Sequence, residues 1–469
     1  MRPLRPVLRR PRTRLAVVVA AAVVLTAAGP ALASTTAAAG AATSTTALPP
    51  VHHVWVINLE NKNYAETFGT GTGYLARTMP AEGALLTEYY GTGHLSADNY
   101  ISQQSGQAPT TLSQSDCQDY TDVRTGTPTG FGDGQVVGQG CVYPASVQTL
   151  AGQVAGADMT WRGYMEDLGG TSTREEATCG RPLTSAGQPA DPSAATPSQD
   201  DTQSATAADS YAARHNPFVY FHSLTDGGAC NAHVGSLAPL ENDLASVATT
   251  PSYSLISPNL CNDGHDATCA GTNVAGGKTG GSTAVDLWLA KYVPMITSSP
   301  AFEQDGMLVV TFDEAEAAGS SAPDATACCG EPTGPNTAAP GITGAGGGRI
   351  GAVVLSPFVA PGTVSNVAYN HYSLLRSIED LLGITTGGTD GHGHIGYAAM
   401  ATGARQDSTP STASTAPFVG FGPDVFTAAA QPGADLPEAP VALLLPLGGG
   451  LALAGAALLR RRRRVSARA

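Results

Sequence analysis

Three short stretches, far apart in the chain, each end an apolar run in oxygen or imidazole side chains. Residues 54–59 run into Glu60-Asn61, residues 253–257 lead to Asp263, His265 and Asp266, and residues 308–312 end in Asp313-Glu314. Two adjacent carboxylates need a cation, or they repel and take up protons. Carboxylate and imidazole together suit borderline-to-hard divalent ions. Glu60, Asn61, Asp263, His265, Asp266, Asp313, Glu314 and His371 therefore form a candidate ligand set, and the chemistry it serves is metal-dependent hydrolysis. Between the first two stretches lies His94-Leu95-Ser96-Ala97-Asp98-Asn99-Tyr100. Ser96 stands where a helix is expected to begin, and the N–H groups and dipole there favour negative charge. Ser96 is thus a candidate nucleophile toward phosphorus, and Asn99 a candidate donor to a phosphate oxygen. The plainer explanation of the same spacing is an ordinary N-cap serine. His94 is a candidate acid–base group or phosphate donor. His215 and His222 flank an apolar run and are candidates for lining the site.

These groups need elements to bring them together. An apolar run without polar alternation reads as a strand buried on both faces, as in a parallel sheet. In open α/β sheets, chemistry collects at the carboxyl ends of such strands. Further strands are expected at 159–164, 218–221 and 350–355. Helices are expected at 78–89, with Pro80 in the first turn, and at 98–105, 147–154, 283–296 and 372–382. Residues 106–145, 168–210 and 315–347 are rich in small and polar types and read as excursions. The alternation of strands and helices predicts an α/β fold with a largely parallel sheet.

The chain has 469 residues. Its N-terminus carries arginines, an apolar run and then Ala31-Leu32-Ala33, the pattern of a signal peptide over 1–33. A flexible leader is expected at 34–50, the catalytic domain at 51–402 and a low-complexity linker at 403–440. Residues 441–459 are uncharged and long enough to span a bilayer, and 460–469 form a basic cytoplasmic tail. Leu436-Pro437-Glu438-Ala439-Pro440 resembles a sortase-type sorting signal, apart from its last two residues. These features predict export to the outer face of the membrane or the cell wall, anchored by the C-terminal helix. Twelve of the 24 basic residues are arginines in those two termini, which hold no acid. The segment between them carries 12 basic against 38 acidic residues, a net charge of −26. Such a field disfavours nucleic acid and anionic lipid surfaces as partners. No protein partner is evident. Eight cysteines in an exported chain favour disulfides, and Cys261 and Cys269 flank the Asp263–Asp266 ligand stretch as a candidate staple. No CxxC pair exists, which argues against a zinc–thiolate site.

Residues 54–61 resemble the opening motif of the bacterial phosphoesterase family within the alkaline phosphatase superfamily, which includes secreted acid phosphatases, phospholipases C and phosphatidylinositol 3-phosphate phosphatases. His94 to Tyr100 resembles its His-Pro-Ser-x-Pro-Asn-Tyr motif, and Cys261 to Asp266 its Asn-Asp-Met-His-Asp. Thr311 to Glu314, Gly347 to Ile350 and Tyr369 to Arg376 complete the series in order, so the likeness spans about residues 51 to 385. It implies an alkaline-phosphatase-like three-layer sandwich and a phosphoric-ester hydrolase. Ser96 matches the metal-activated nucleophile and Asn99 the oxyanion-binding residue. Glu60, Asn61, Asp313 and Glu314 would hold one divalent ion. Asp263, His265 and His371 would hold a second, or act on the leaving group if only one ion is present. Zn, Mn, Mg and Ca are not distinguished. Leu95 and Asp98 replace both motif prolines, and Ala315 stands where glycine is usual. A monoesterase is the leading expectation. A phospholipase C or other phosphodiesterase, and a catalytically degenerate surface protein, are the alternatives.

Overall fold

The computed structural model describes residues 48–125, 134–169, 178–317, 319–400 and 419–427. The expected signal peptide, most of the leader, the membrane span and the basic tail lie outside them. Among the described residues, no helix is long and apolar enough to cross a membrane.

An eight-stranded sheet forms the centre. Its strands lie in the order Thr363–Ser365, Ala84–Leu86, Ala352–Leu355, Gly306–Phe312, His53–Leu59, Tyr253–Ser257, Trp161–Met165 and Val234–Gly235. The strands from Gly306–Phe312 to Val234–Gly235 are parallel neighbours throughout. Ala352–Leu355 runs antiparallel to both of its neighbours, so the sheet is mostly rather than wholly parallel. The central strands are fully buried, which explains their unbroken apolar sequence. Register then places the acids: Leu59 pairs with Phe312 and Ile57 with Ile256. Glu60 and Asp313 leave the sheet side by side, and the 258–263 turn leaves next to them. Two backbone bonds lock this edge, from Asp313 N to Leu59 O (2.9 Å) and from Glu60 N to Asp263 O (2.9 Å).

Helix Ser96–Ser105 lies buried along its whole length and packs against helix His371–Leu381. Gly106, at φ 64°, stops it with a left-handed cap. A two-stranded pairing of Tyr89–Tyr90 with Tyr369–Asn370 brings His371 to the same end of the sheet. The Asn370 side chain caps the His371–Leu381 helix by accepting from Ser373 N.

Several expected elements differ. The helix expected at 78–89 shrinks to Met79–Glu82, and after Gly83 the chain enters the sheet at Ala84–Leu86. Residues 217–220 form a 3-10 turn rather than a strand, with Pro217 fixing its first position. Their apolar content reflects packing of Phe218 on Trp161, not sheet pairing. Residues 419–427, inside the expected linker, pack on the domain: Val419, Phe421 and Val425 are buried, and Asp424 accepts from Ser365 and Tyr369.

All eight cysteines pair, as Cys117–Cys141, Cys179–Cys230, Cys261–Cys269 and Cys328–Cys329. The Cys261–Cys269 bond does staple the ligand-bearing turn. Cys117–Cys141 closes a loop with a sequence separation of 24 that braces the start of the Ser96–Ser105 helix. Replacing both with alanine is expected to cost about 3 kcal/mol, read as a lower urea midpoint.

Candidate active site

Ser96 opens its helix after an extended Leu95. Its hydroxyl donates to Glu60 Oε2 at 2.8 Å. Tyr100, one turn on, donates to Glu60 Oε1 at 2.9 Å. His215 stacks on Tyr100, with ring centroids 5.3 Å apart, and brings Nε2 to 3.1 Å from Glu60 Oε1 without hydrogen-bond alignment. Its Nδ1 lies 3.7 Å from Asp263 Oδ2. Ser96 also lies near enough to Asp313 to help stabilise its charge.

The acid pair is held by backbone and amide donors. Asp313 Oδ1 accepts from Asn61 N (3.1 Å) and Glu314 N (2.6 Å), while Asn61 Nδ2 donates to Glu314 Oε1 (2.9 Å). Asn61 Oδ1, Asp263 Oδ2 and Asp313 Oδ2 at this edge are buried without a hydrogen bond from any of the described residues. A Cβ at Gly91 would lie 2.8 Å from Asp313 O and 2.9 Å from Gly347 O, so only glycine lets the Tyr89–Tyr90 strand pass so close to the acids.

Glu60, Asp263, Asp313 and Glu314 are all inaccessible to solvent. Burial pushes Asp263, Asp313 and Glu314 well above the usual carboxylate range, and neighbouring negative charge adds to it. Glu60 goes the other way, to about 2: burial opposes its ionisation, but His215, Arg214 and His265 outweigh that. Four buried carboxyl groups at one edge are a donor set short of positive charge, which is the chemistry a divalent ion satisfies. The orphaned oxygens of Asn61, Asp263 and Asp313 fit the same requirement. Among the described residues no group of three or more His, Cys, Asp or Glu is placed to hold a metal ion as it stands.

The histidines divide. His94 bonds through Nδ1 to Glu314 Oε2 and through Nε2 to Asp324 O (3.1 Å), and burial lowers its pKa. His265 stands at the rim, about half exposed, with Nδ1 on Asp266 Oδ1 at 2.8 Å. That bond holds its pKa above the ordinary histidine value. His371 is fully buried: Nε2 bonds to Asp313 O (2.6 Å), and Nδ1 takes Tyr89 OH (3.2 Å) and Gln103 Nε2 (3.1 Å). Both of its nitrogens are in use and burial pushes its pKa down to about 4. The trio Asp263, His265 and His371 is therefore not brought together as a second ion site. His371 instead props the backbone of the acid pair. Asn99 is likewise occupied: its Oδ1 accepts from Thr92 N and Gly93 N, and its Nδ2 donates to Gly93 O and Leu95 O. It shapes the loop before Ser96 and has no donor aimed at a substrate. His222 bonds to Asp122 and Asp226, outside the cluster. Tyr100, Arg214 and Asp116 join the site without having been singled out in the sequence. Only the neighbourhood of Arg214 to His215 and of Tyr100 to Ser96 hinted at them.

Buried acids also set a pH dependence. Burial raises Glu166 to about 7. Above pH 6.5 the unfolded chain has already lost that proton, while the native state still holds it and must release it as pH rises. The native state binds more protons, so stability falls with pH in this window. In EDTA, the unfolding free energy is expected to drop by about 1 kcal/mol or more between pH 6.5 and 8, measured by urea titration.

The strand-end acids and the helix-start serine thus meet outside the carboxyl ends of the parallel strands, where ligands bind in open α/β sheets. The chain belongs to the Phosphoesterase family, whose model matches residues 74–385. Among its relatives, the phosphate-repressible acid phosphatase of Penicillium chrysogenum is 22% identical over 300 residues, covering 64% of this chain and 52% of that protein. The phosphatidylinositol-3-phosphatase of Mycobacterium tuberculosis is 23% identical over 338 residues, covering 72% of this chain and 79% of that protein. The chain spans about half the length of the fungal acid phosphatases it matches. A crystal structure of an alkaline phosphatase superfamily protein from Vibrio parahaemolyticus aligns at 9% identity and a TM-score of 0.39, covering 73% of this chain and 72% of that one.

Proposed function

We propose that the chain is a metal-dependent phosphoesterase that hydrolyses phosphate monoesters through Ser96. The observation that carries this is the 2.8 Å bond from Ser96 Oγ to Glu60 Oε2, at the meeting point of four buried acids. Glu60, Asn61, Asp313 and Glu314 would hold a divalent ion, with Asp263 beside them. Such an ion lowers the pKa of a bound hydroxyl and neutralises phosphate charge. The rest falls to side chains of this chain. Ser96 Oγ passes its proton to Glu60 Oε2, to which it already donates, and attacks phosphorus in line with the ester oxygen, the new O–P bond forming as the old one breaks. His265, kept protonated by Asp266, gives its Nε2 proton to the leaving alkoxide. Deprotonated His265 then takes a proton from water, whose oxygen attacks the phosphoserine, and phosphate leaves as Ser96 Oγ takes its proton back from Glu60.

Acid phosphatase and phosphatidylinositol-3-phosphatase among the relatives make phosphomonoesters the first substrates to test. Four disulfides support an exported enzyme. Anchoring by residues 441–459 completes the reading as a cell-envelope enzyme. The test uses purified protein, stripped of metal and resupplied with Zn, Mn, Mg or Ca, on p-nitrophenyl phosphate, its bis ester and phosphatidylcholine. Monoester turnover supports the proposal. Preference for the diester or lipid would mark a diesterase, and no turnover with any ion a degenerate scaffold.

A further inference from the structure

Beside Ser96 lies a place built for an anion, with an anion of the chain's own already in it. The Ala97 N–H, in the first turn of the Ser96–Ser105 helix, donates to Asp116 Oδ1 at 3.1 Å. A helix start offers such N–H groups together with the positive end of the dipole. Across the carboxylate stands Arg214, more than nine-tenths buried, with Nε 3.9 Å from Asp116 Oδ2. That distance makes an ion pair but no hydrogen bond. Among the described residues, Arg214 donates one hydrogen bond, from Nη1 to Gln203 O at 3.2 Å. Its Nε lies on the Asp116 side, and a guanidinium fork suits a phosphate. Its charge also acts on Glu60 and Asp263, and its chain neighbour His215 reaches within 3.1 Å of Glu60 Oε1.

Asp116 reaches this place from a turn, at φ 53°, next to the Cys117–Cys141 bond. Gln203 Nε2 donates to its backbone oxygen at 3.0 Å and steadies the turn. Glu60 repels its charge and burial penalises it, while Arg214, Ala97 N–H and His265 favour it. A carboxylate carries two oxygens and one charge, where a phosphate monoester carries three free oxygens and up to two charges.

We propose that the Asp116 carboxylate occupies the seat of the substrate's phosphate, and that substrate binds by displacing it from Ala97 N–H and Arg214. Arg214 is then a substrate-binding residue and Asp116 a built-in competitor that sets anion affinity. This rests on the phosphatase reading and deepens it by naming the phosphate's receptors.

The experiment is calorimetric titration of inorganic phosphate into the metal-loaded full chain and its variants, alongside KM for p-nitrophenyl phosphate. Asp116→Asn keeps an acceptor for Ala97 N–H and removes the charge; it is expected to lower the phosphate Kd and the KM about tenfold. Asp116→Glu, which keeps the charge, is expected to bind no more tightly than the parent. Arg214→Gln is expected to raise the Kd at least tenfold, with Arg214→Lys recovering part of the loss. A Kd unchanged or raised in Asp116→Asn would show Asp116 to be a structural brace and overturn the proposal. So would an unchanged Kd in Arg214→Gln, a variant whose reading does not depend on Asp116→Asn folding. Absence of ester turnover in the parent is a separate result: it removes the phosphatase reading, while phosphate binding still reports on the seat.

Discussion

Ser96→Ala is expected to lower kcat for p-nitrophenyl phosphate by about ten-thousandfold or more, while the protein melts within a few degrees of the parent. The size follows from the role. Without the hydroxyl no phosphoserine forms, and the remaining groups can only orient the ester for direct attack by water. The small structural effect follows from the surroundings. The Ser96 hydroxyl donates to Glu60, and Glu60 keeps Tyr100 and His215 beside it. The Ser96–Ser105 helix does not rely on Ser96 as a cap, since its N-cap position is Leu95 and the Ala97 N–H is served by Asp116. Activity and stability should therefore separate cleanly. A variant that lost both together would point to a serine whose work is structural.

The second large effect concerns the acids. Removing divalent ions is expected to abolish turnover, and restoring them to raise the melting temperature by several degrees. An ion present at a hundred times its Kd stabilises the native state by about 2.7 kcal/mol. The physical cause is the cost of keeping Glu60, Asp263, Asp313 and Glu314 together without a counter-charge: burial, and then mutual repulsion, push Asp263, Asp313 and Glu314 well above the usual carboxylate range. Asp313→Asn removes one ligand and one charge. It is expected to lose turnover at least a thousandfold and to lose most of the ion-induced rise in melting temperature. Without ions, the same variant should be no less stable than the parent, because a buried repulsion has gone. Thermal scans of both proteins, with EDTA and with added ion, check all of this.

Much of this site could be read from residue order. The apolar runs ending in Glu60, Asp263 and Asp313 announced neighbouring buried strands, because period and burial are local properties. The pairing of Leu59 with Phe312 then followed from the sheet. Short elements were less legible. Ala84–Leu86 is a three-residue strand whose apolar residues also suit a helix, and only its partner Ala352–Leu355 decides. Residues 217–220 have strand composition but bury their side chains from a 3-10 turn. The site shows the same divide. His371 has a ligand's residue type, yet its two nitrogens are consumed by Asp313 O, Tyr89 and Gln103, which only tertiary structure reveals. Asn99 is diverted by its own loop in the same way. Asp116 and Arg214 meet across nearly a hundred residues of chain, with no periodicity to announce them.

The most direct measurement is an acid quench of the metal-loaded protein during turnover of p-nitrophenyl phosphate, followed by peptide mass analysis. A phosphoryl adduct is expected on the peptide carrying Ser96, formed in the first turnover and absent from Ser96→Ala. Steady turnover with no such adduct, or an adduct on another residue, would contradict it.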